Sequence, residues 1–150
     1  MDVFELLTSD HEKVAGLLEK IDATTERALK TREELFTQLK TELDIHAEIE
    51  EKIFYPVLEK ADVTRDITLE AFEEHRLVKQ LLTELASESK GDETWTAKFT
   101  VLKEQVEHHV EEEEDDMFKK ARKVLSKEEI EELGARMEKA RGERKAAAAR

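Results

Sequence analysis

The sequence HAEIEEKIFYP, at residues 46–56, carries the clearest structural signal in the chain. Within it, His46 and Glu50 are four residues apart. On a helix, that spacing places both side chains on one face, about 6 Å or one turn apart along the axis. A second copy at residues 109–119 reads HVEEEEDDMFK and has the same His–Glu spacing. The chain therefore contains a repeated helical His–Glu motif.

Each copy continues an apolar stripe that begins upstream. Apolar residues lie ten, seven and three positions before each motif histidine: Phe36, Leu39 and Leu43 before His46, and Phe99, Leu102 and Val106 before His109. Because these steps follow one face of a helix, both His–Glu pairs are predicted to point into a core. Ligand-type side chains in a core need a compensating partner, and a metal ion is the most natural one.

The composition limits the possible folds and partners. The chain has 150 residues, enough for one domain with a sizeable core. Four glycines and one proline favour a mostly helical protein with short loops. The absence of cysteine excludes disulfides, cysteine-ligated metals and thiol nucleophiles. The net charge of −13 argues against nucleic acid and anionic membranes as partners. With no signal peptide and no apolar run of membrane length, we expect a cytoplasmic protein.

Four long amphipathic helices are predicted, at about residues 2–29, 31–57, 64–89 and 94–125. Thr31 is the expected N-cap of the second, and Pro56 is expected to bend or end it. Short loops between such helices predict an all-α, up-down-up-down four-helix bundle. Ser126 and Glu129 form a capping-box signal for an additional short C-terminal helix, expected to cap the bundle from outside. The predicted domains are therefore a bundle at residues 1–125 and a capping helix at residues 126–150. Its basic, Ala-rich tail is expected to fray or be disordered.

Each main helix carries one histidine at a core position: His11, His46, His75 and His109. Only the second and fourth helices add a carboxylate, Glu50 and Glu113. Six ligands are too many for one tetrahedral zinc and suit two metal ions that share the carboxylates. Two histidines per ion, two bridging glutamates and a bridging oxo or hydroxo group would leave each ion an open position for a small ligand. Imidazole with carboxylate favours iron or manganese over copper or calcium.

The fourth helix allows a second register, since His108 and Glu112 have the same spacing. His109 continues the apolar stripe, whereas His108 follows Val101 and Gln105, a poorer one. We therefore predict that the His109 pair faces the site and that His108 lies at the surface or supports a ligand. Tyr55, close to the first motif, is expected mainly to pack.

The order His, His-x-x-x-Glu, His, His-x-x-x-Glu resembles the hemerythrin-like (HHE cation-binding) domain family. The DH ending at His11, the EEH ending at His75 and the FYP at residues 54–56 are similar to that family too. The resemblance covers about residues 3–125 and implies a bundle holding a non-haem di-iron centre. It also implies terminal ligands at His11, His46, His75 and His109 and bridges at Glu50 and Glu113. The fifth histidine of the oxygen-carrying members falls at Lys79 here, which argues against simple reversible oxygen carriage and implies a more open site.

We therefore expect a cytoplasmic di-iron protein that binds O2, NO or peroxide at an open iron position, for sensing, scavenging or iron handling. Two alternatives stay open. One is an enzyme that decomposes peroxide or nitric oxide, or supports iron–sulfur repair, the last implied by the resemblance alone. The other is a structural bundle stapled by metal. The choice between binding and turnover and the oligomeric state also stay open.

Overall fold

The fold is that of a computed structural model, which describes residues 1–149. Within that range every regular element is helical: α1 (Val3–Asp22), α2 (Leu29–Ile49), the π-helical turn π1 (Glu50–Phe54), α3 (Tyr55–Glu59), α4 (Asp62–Ser87), α5 (Glu93–Glu112), the π-helical turn π2 (Glu113–Met117), α6 (Phe118–Val124) and α7 (Lys127–Ala148). The segments α2, π1 and α3 run on as a second long helix, and α5, π2 and α6 as a fourth. This confirms the predicted all-α bundle with an additional C-terminal helix. No helix in residues 1–149 is long and apolar enough to cross a bilayer.

The first helix is shorter than predicted, because residues 23–28 form a loop instead of continuing it to residue 29. The Thr24 hydroxyl donates to the Ile21 carbonyl at 2.5 Å, and Arg32 donates from Nε to that hydroxyl at 2.8 Å. Arg32 also donates to the Lys90 carbonyl at 2.8 Å. These bonds replace the helical ones and tie two loops together at one end of the bundle. The second helix begins at Leu29, before the predicted cap.

The apolar core forms two clusters on either side of the histidines. One contains Phe4, Phe54, Leu58 and Phe118, and the other contains Val14, Phe36, Leu82, Trp95 and Phe99. Along each of the four bundle helices, the chain passes from one cluster to the other at its core histidine. The histidines therefore lie in a polar layer at mid-bundle, enclosed by apolar side chains above and below.

The C-terminal helix α7 packs against α1 and α2. Leu133 and Met137 are buried in the cluster that contains Phe4. Gly134 lies directly on the N-terminal backbone, where an added Cβ atom would lie 2.8 Å from Asp2 Cα. The helix continues to Ala148. The tail for which the sequence predicts fraying or disorder is thus helical as far as it is described.

Candidate metal centre

The structure brings all six predicted ligands together, and all six are buried: His11, His46, Glu50, His75, His109 and Glu113. Their donor atoms form two groups. Within each group, one donor atom from every residue lies within 4.8 Å of the others: His11, His46, Glu50 and Glu113 in the first, and Glu50, His75 and His109 in the second. Because Glu50 belongs to both groups, it lies between two potential metal positions.

Both glutamates stand at the start of a π-helical turn. The Tyr55 N–H donates to the Glu50 carbonyl, and the Phe118 N–H donates to the Glu113 carbonyl, five residues apart in each case. Such a turn inserts one extra residue into a helix and is frequent at functional sites. A proline is not required for it, because the second copy has Lys119 at the position of Pro56 and forms the same turn. Of the two effects expected of Pro56, bending or ending the helix, the second does not occur, because the helix continues to Glu59.

The imidazole Nε2 atoms face the glutamate oxygens. His46 and His75 approach Glu50 Oε1 at 2.9 and 3.2 Å. Across the site, His11 Nε2 lies 3.1 Å from Glu113 Oε1, and His109 Nε2 lies 3.4 Å from Glu113 Oε2. Each glutamate therefore faces histidines from two different helices.

Many of these buried atoms lack hydrogen bonds. Within residues 1–149, five have no partner in hydrogen-bond geometry: His11 Nε2, His46 Nε2, both Glu50 carboxylate oxygens and Glu113 Oε1. Leaving a polar group buried and unpaired costs about 1–3 kcal/mol each. A bound cation would satisfy all five at once, and imidazole nitrogen with carboxylate oxygen suits iron or manganese. The residues present therefore fit a metal centre.

A carboxylate holds the other ring nitrogen, Nδ1, of every site histidine. The pairs are His11 with Glu114 at 2.6 Å, His46 with Asp10 at 3.1 Å, His75 with Glu51 at 2.9 Å and His109 with Glu74 at 2.6 Å. We call Asp10, Glu51, Glu74 and Glu114 the outer carboxylates. Such partners orient a ligating imidazole and raise its basicity. The sequence prediction missed all four, although each is the immediate neighbour of a predicted ligand.

Protonation of the site depends on these carboxylates. Burial disfavours a charged imidazole, but Glu113 and Glu74 overcome that effect and raise the pKa of His109 from 6.5 to about 10. Burial also opposes ionisation of Glu113, yet His109 and His11 hold its pKa well below the usual range. Protons thus occupy the metal-free site, and metal uptake must release them.

The Tyr55 hydroxyl is a further oxygen at the site. It donates a hydrogen bond to Glu113 Oε2 and lies 3.4 Å from Nε2 of both His75 and His109. Burial, followed by the charges of Glu113 and Glu50, raises the pKa of Tyr55 well above its ordinary value. The ring packs as expected, with its centroid 5.2 Å from that of His75. The hydroxyl adds a potential donor to the second group of ligands.

His108 points away from the site. Its side chain is 69% exposed and lies 3.3 Å from Glu112. The helix therefore places His109 inside and His108 at the surface, which is the register that the apolar stripe predicts.

A cleft of about 630 Å³ between α2 and α4 reaches the site. All four site histidines line it, together with Leu43, Phe72, Val78 and Leu82. Its exposed lining residues include Lys52, Lys79 and Thr83, so the cleft opens to solvent. A small molecule can therefore reach the histidines along a mainly apolar path.

Comparison with known proteins gives consistent matches. A family model described as the hemerythrin HHE cation binding domain matches residues 2–121. Uncharacterized proteins of Mycobacterium tuberculosis and Mycobacterium bovis are 33% identical over 150 residues, which cover 95% of this chain and 89% of theirs. A DNA nickase of a Nostoc species is 28% identical over 132 residues, 88% of this chain but 37% of that protein.

A solved structure is also similar. The crystal structure of a hemerythrin HHE cation-binding domain-containing protein from Mycobacterium kansasii has a TM-score of 0.80 and 32% identity, covering 95% of this chain and 89% of that one. The family match includes all six candidate ligands, whereas α7 begins beyond its end.

Proposed function

The chain belongs to the hemerythrin HHE cation-binding domain family, and from that premise we propose that it is a non-haem di-iron protein that handles O2, NO or peroxide. Family membership and the buried His/Glu cluster support metal binding. The single observation that carries the proposal is the set of five buried donor atoms without hydrogen-bond partners, all from four residues of one layer. A cation bound among them would give all five atoms a partner.

Two ions account for the donors better than one. His11 and His46 would hold the first, His75 and His109 the second, and Glu50 and Glu113 would be shared between them. The two donor groups support the division of the histidines and the sharing of Glu50. Sharing of Glu113 rests on its Oε2 atom, which lies 3.4 Å from His109 Nε2. Iron and manganese both suit the ligands, and the family resemblance favours iron. When bound, such a pair supplies redox and Lewis-acid chemistry toward small oxygen or nitrogen-oxide ligands.

The chain's own residues prepare the site for this chemistry. The outer carboxylates would accept the Nδ1 protons, which leaves the Nε2 atoms free to hold the ions when these are bound. The Tyr55 hydroxyl donates its hydrogen bond to Glu113, within the layer where the ligand would arrive. The cleft offers a small ligand a route to the histidines past Leu43, Phe72, Val78 and Leu82.

Metal analysis of protein from iron-supplemented cells, combined with ultraviolet–visible spectra, tests the proposal. We expect about two iron ions per chain and absorption bands of an oxo- or hydroxo-bridged pair. His46→Ala and Glu50→Ala should each lower the iron content sharply, whereas the matched variant His108→Ala should keep it. One zinc ion or no metal in a fully helical protein would contradict the proposal.

The same sample separates binding from turnover. Peroxide, NO or air is added to the iron-loaded protein, and both the spectrum and the added ligand are followed. A spectral change that reverses when the ligand is removed identifies a binding or sensing protein. Continuous disappearance of peroxide or NO identifies an enzyme.

A further inference from the structure

The four outer carboxylates are not equivalent. The side chains of Glu51, Glu74 and Glu114 are 40%, 22% and 33% exposed, whereas Asp10 is 6% exposed. Among the four, Asp10 alone forms an ion pair with an arginine or lysine in residues 1–149. Arg141 Nη1 donates to Asp10 Oδ1 at 2.7 Å. That arginine belongs to α7, outside the part of the chain that the family model matches.

We propose that Arg141 is a positioning residue which, through Asp10, fixes His46 and makes the metal position at His11 and His46 hold its ion more tightly than the position at His75 and His109. The proposal rests on the di-iron centre proposed above. It adds that the two ions are inequivalent and that the C-terminal helix is the cause.

Both carboxylate oxygens of Asp10 have a partner. Oδ1 accepts from Arg141, and Oδ2 lies 3.1 Å from His46 Nδ1. A buried carboxylate is stable only when its charge is paired and its oxygens are hydrogen-bonded. Rotation of Asp10 would break one of these two bonds, so the pair of bonds restrains the orientation of His46. The other three outer carboxylates are partly open to solvent, so water can compete for their imidazole partners.

The position of Arg141 does not depend on its own ion pair. Gly134 holds α7 against the N-terminal backbone, and Leu133 and Met137 are buried in the core. Further along the helix, Arg144 pairs with Glu48 of α2 at 3.0 Å. Removing the Arg141 guanidinium should therefore leave α7 docked. Arg144→Ala is a matched control, because it removes an ion pair of the same helix that does not reach Asp10.

Iron release from the full-length, iron-loaded protein tests the proposal without an activity assay. A ferrous chelator is added under anaerobic conditions, and release is followed by absorbance. We expect two phases of about one iron each in the unchanged protein. Arg141→Ala should accelerate the slower phase about tenfold or more, the usual effect of losing such a support, and leave the faster one within about twofold. Arg144→Ala should leave the rates of both phases unchanged. The slower phase of Arg141→Lys should have a rate between those of the unchanged protein and Arg141→Ala.

A double-mutant comparison shows whether Arg141 acts through Asp10. In the Asp10→Asn background, Arg141→Ala should change neither phase by more than about twofold, because the carboxylate it positions is gone. If Arg141→Ala proves too unstable to purify, Arg141→Gln and Arg141→Lys make the same comparison.

Two results would overturn the proposal while leaving the di-iron centre intact. One is an unchanged slow phase in Arg141→Ala protein that holds two irons. The other is that Arg141→Ala and Arg144→Ala both accelerate the two phases equally. That result would mean that both substitutions act only by loosening α7. An unchanged protein that takes up one metal ion or none would instead contradict the centre itself, and this inference with it.

Discussion

At the scale of single residues, each outer carboxylate neighbours a ligand of its own helix but supports the histidine of another. Asp10 precedes His11 and holds His46, while Glu74 precedes His75 and holds His109. Neighbouring residues on a helix point about 100° apart, so one can face the metal while the other faces an adjacent helix. The acidic residue next to a candidate ligand therefore orients a site histidine of an adjacent helix.

Tyr55→Phe tests whether the hydroxyl at the site reaches a metal. Because this oxygen lies 3.4 Å from two ligand nitrogens, we expect iron-loaded protein to show a visible phenolate-to-iron(III) band. The phenylalanine variant should lack that band and still hold about two irons, since its ring keeps the contact with Phe72. Identical visible spectra for the two proteins would show that Tyr55 does not bind iron, and that it contributes only its hydrogen bond to Glu113 and the packing of its ring.

The raised pKa of His109 predicts how pH changes stability in the metal-free protein. The pKa is about 10 in the fold against an ordinary 6.5. The stabilisation from its charged form is fully present below about pH 6.5 and is lost as the pH rises through about 10. The Tm of metal-free protein should therefore fall over that interval, and less steeply in His109→Gln. The metal ion competes with these protons, so the Tm gain from added metal should grow with pH. A gain that shrinks as the pH rises would contradict this account.

At the scale of elements, helical periodicity predicted the four bundle helices, the buried face of each and the six candidate ligands. It did not predict the loop at residues 23–28, because tertiary bonds from Arg32 end α1 there. The π-helical turns were also missed. Their extra residue shifts the stripe by one position, which a constant period cannot represent. The outer carboxylates were missed because they lie beside the apolar stripe, and only the neighbouring helix reveals their role.

Two glycines of α7 provide a matched pair of substitutions. In Gly134→Ala, the new methyl group would meet the backbone of Met1 and Asp2, so we expect the free energy of unfolding to fall by about 1–3 kcal/mol. Among residues 1–149, Gly142 has no neighbour within 4 Å of an added Cβ atom, so Gly142→Ala should raise the free energy of unfolding by up to about 1 kcal/mol through helix propensity. Urea denaturation measures both values. Equal effects from the two substitutions would show that α7 is not held as closely as the structure indicates.

At the scale of the whole molecule, the two apolar clusters enclose the polar layer and bury most of the large side chains. Their burial should hold the bundle together without metal. We therefore expect chelator-treated protein to keep its helical circular dichroism and unfold cooperatively at a lower Tm. Loss of helix on metal removal would instead favour the metal-stapled structural bundle.

The four hydrogen bonds between the outer carboxylates and the site histidines follow one direction around the bundle. The first helix holds the histidine of the second, the second that of the third, the third that of the fourth, and the fourth that of the first. A bundle wound with the opposite handedness could bury the same apolar stripes, but every carboxylate would then face the wrong neighbour. All four carboxylate–histidine pairs can therefore form in only one of the two directions in which the helices could follow one another around the bundle. Metal binding to these histidines would therefore favour this winding over one that buries the same apolar stripes.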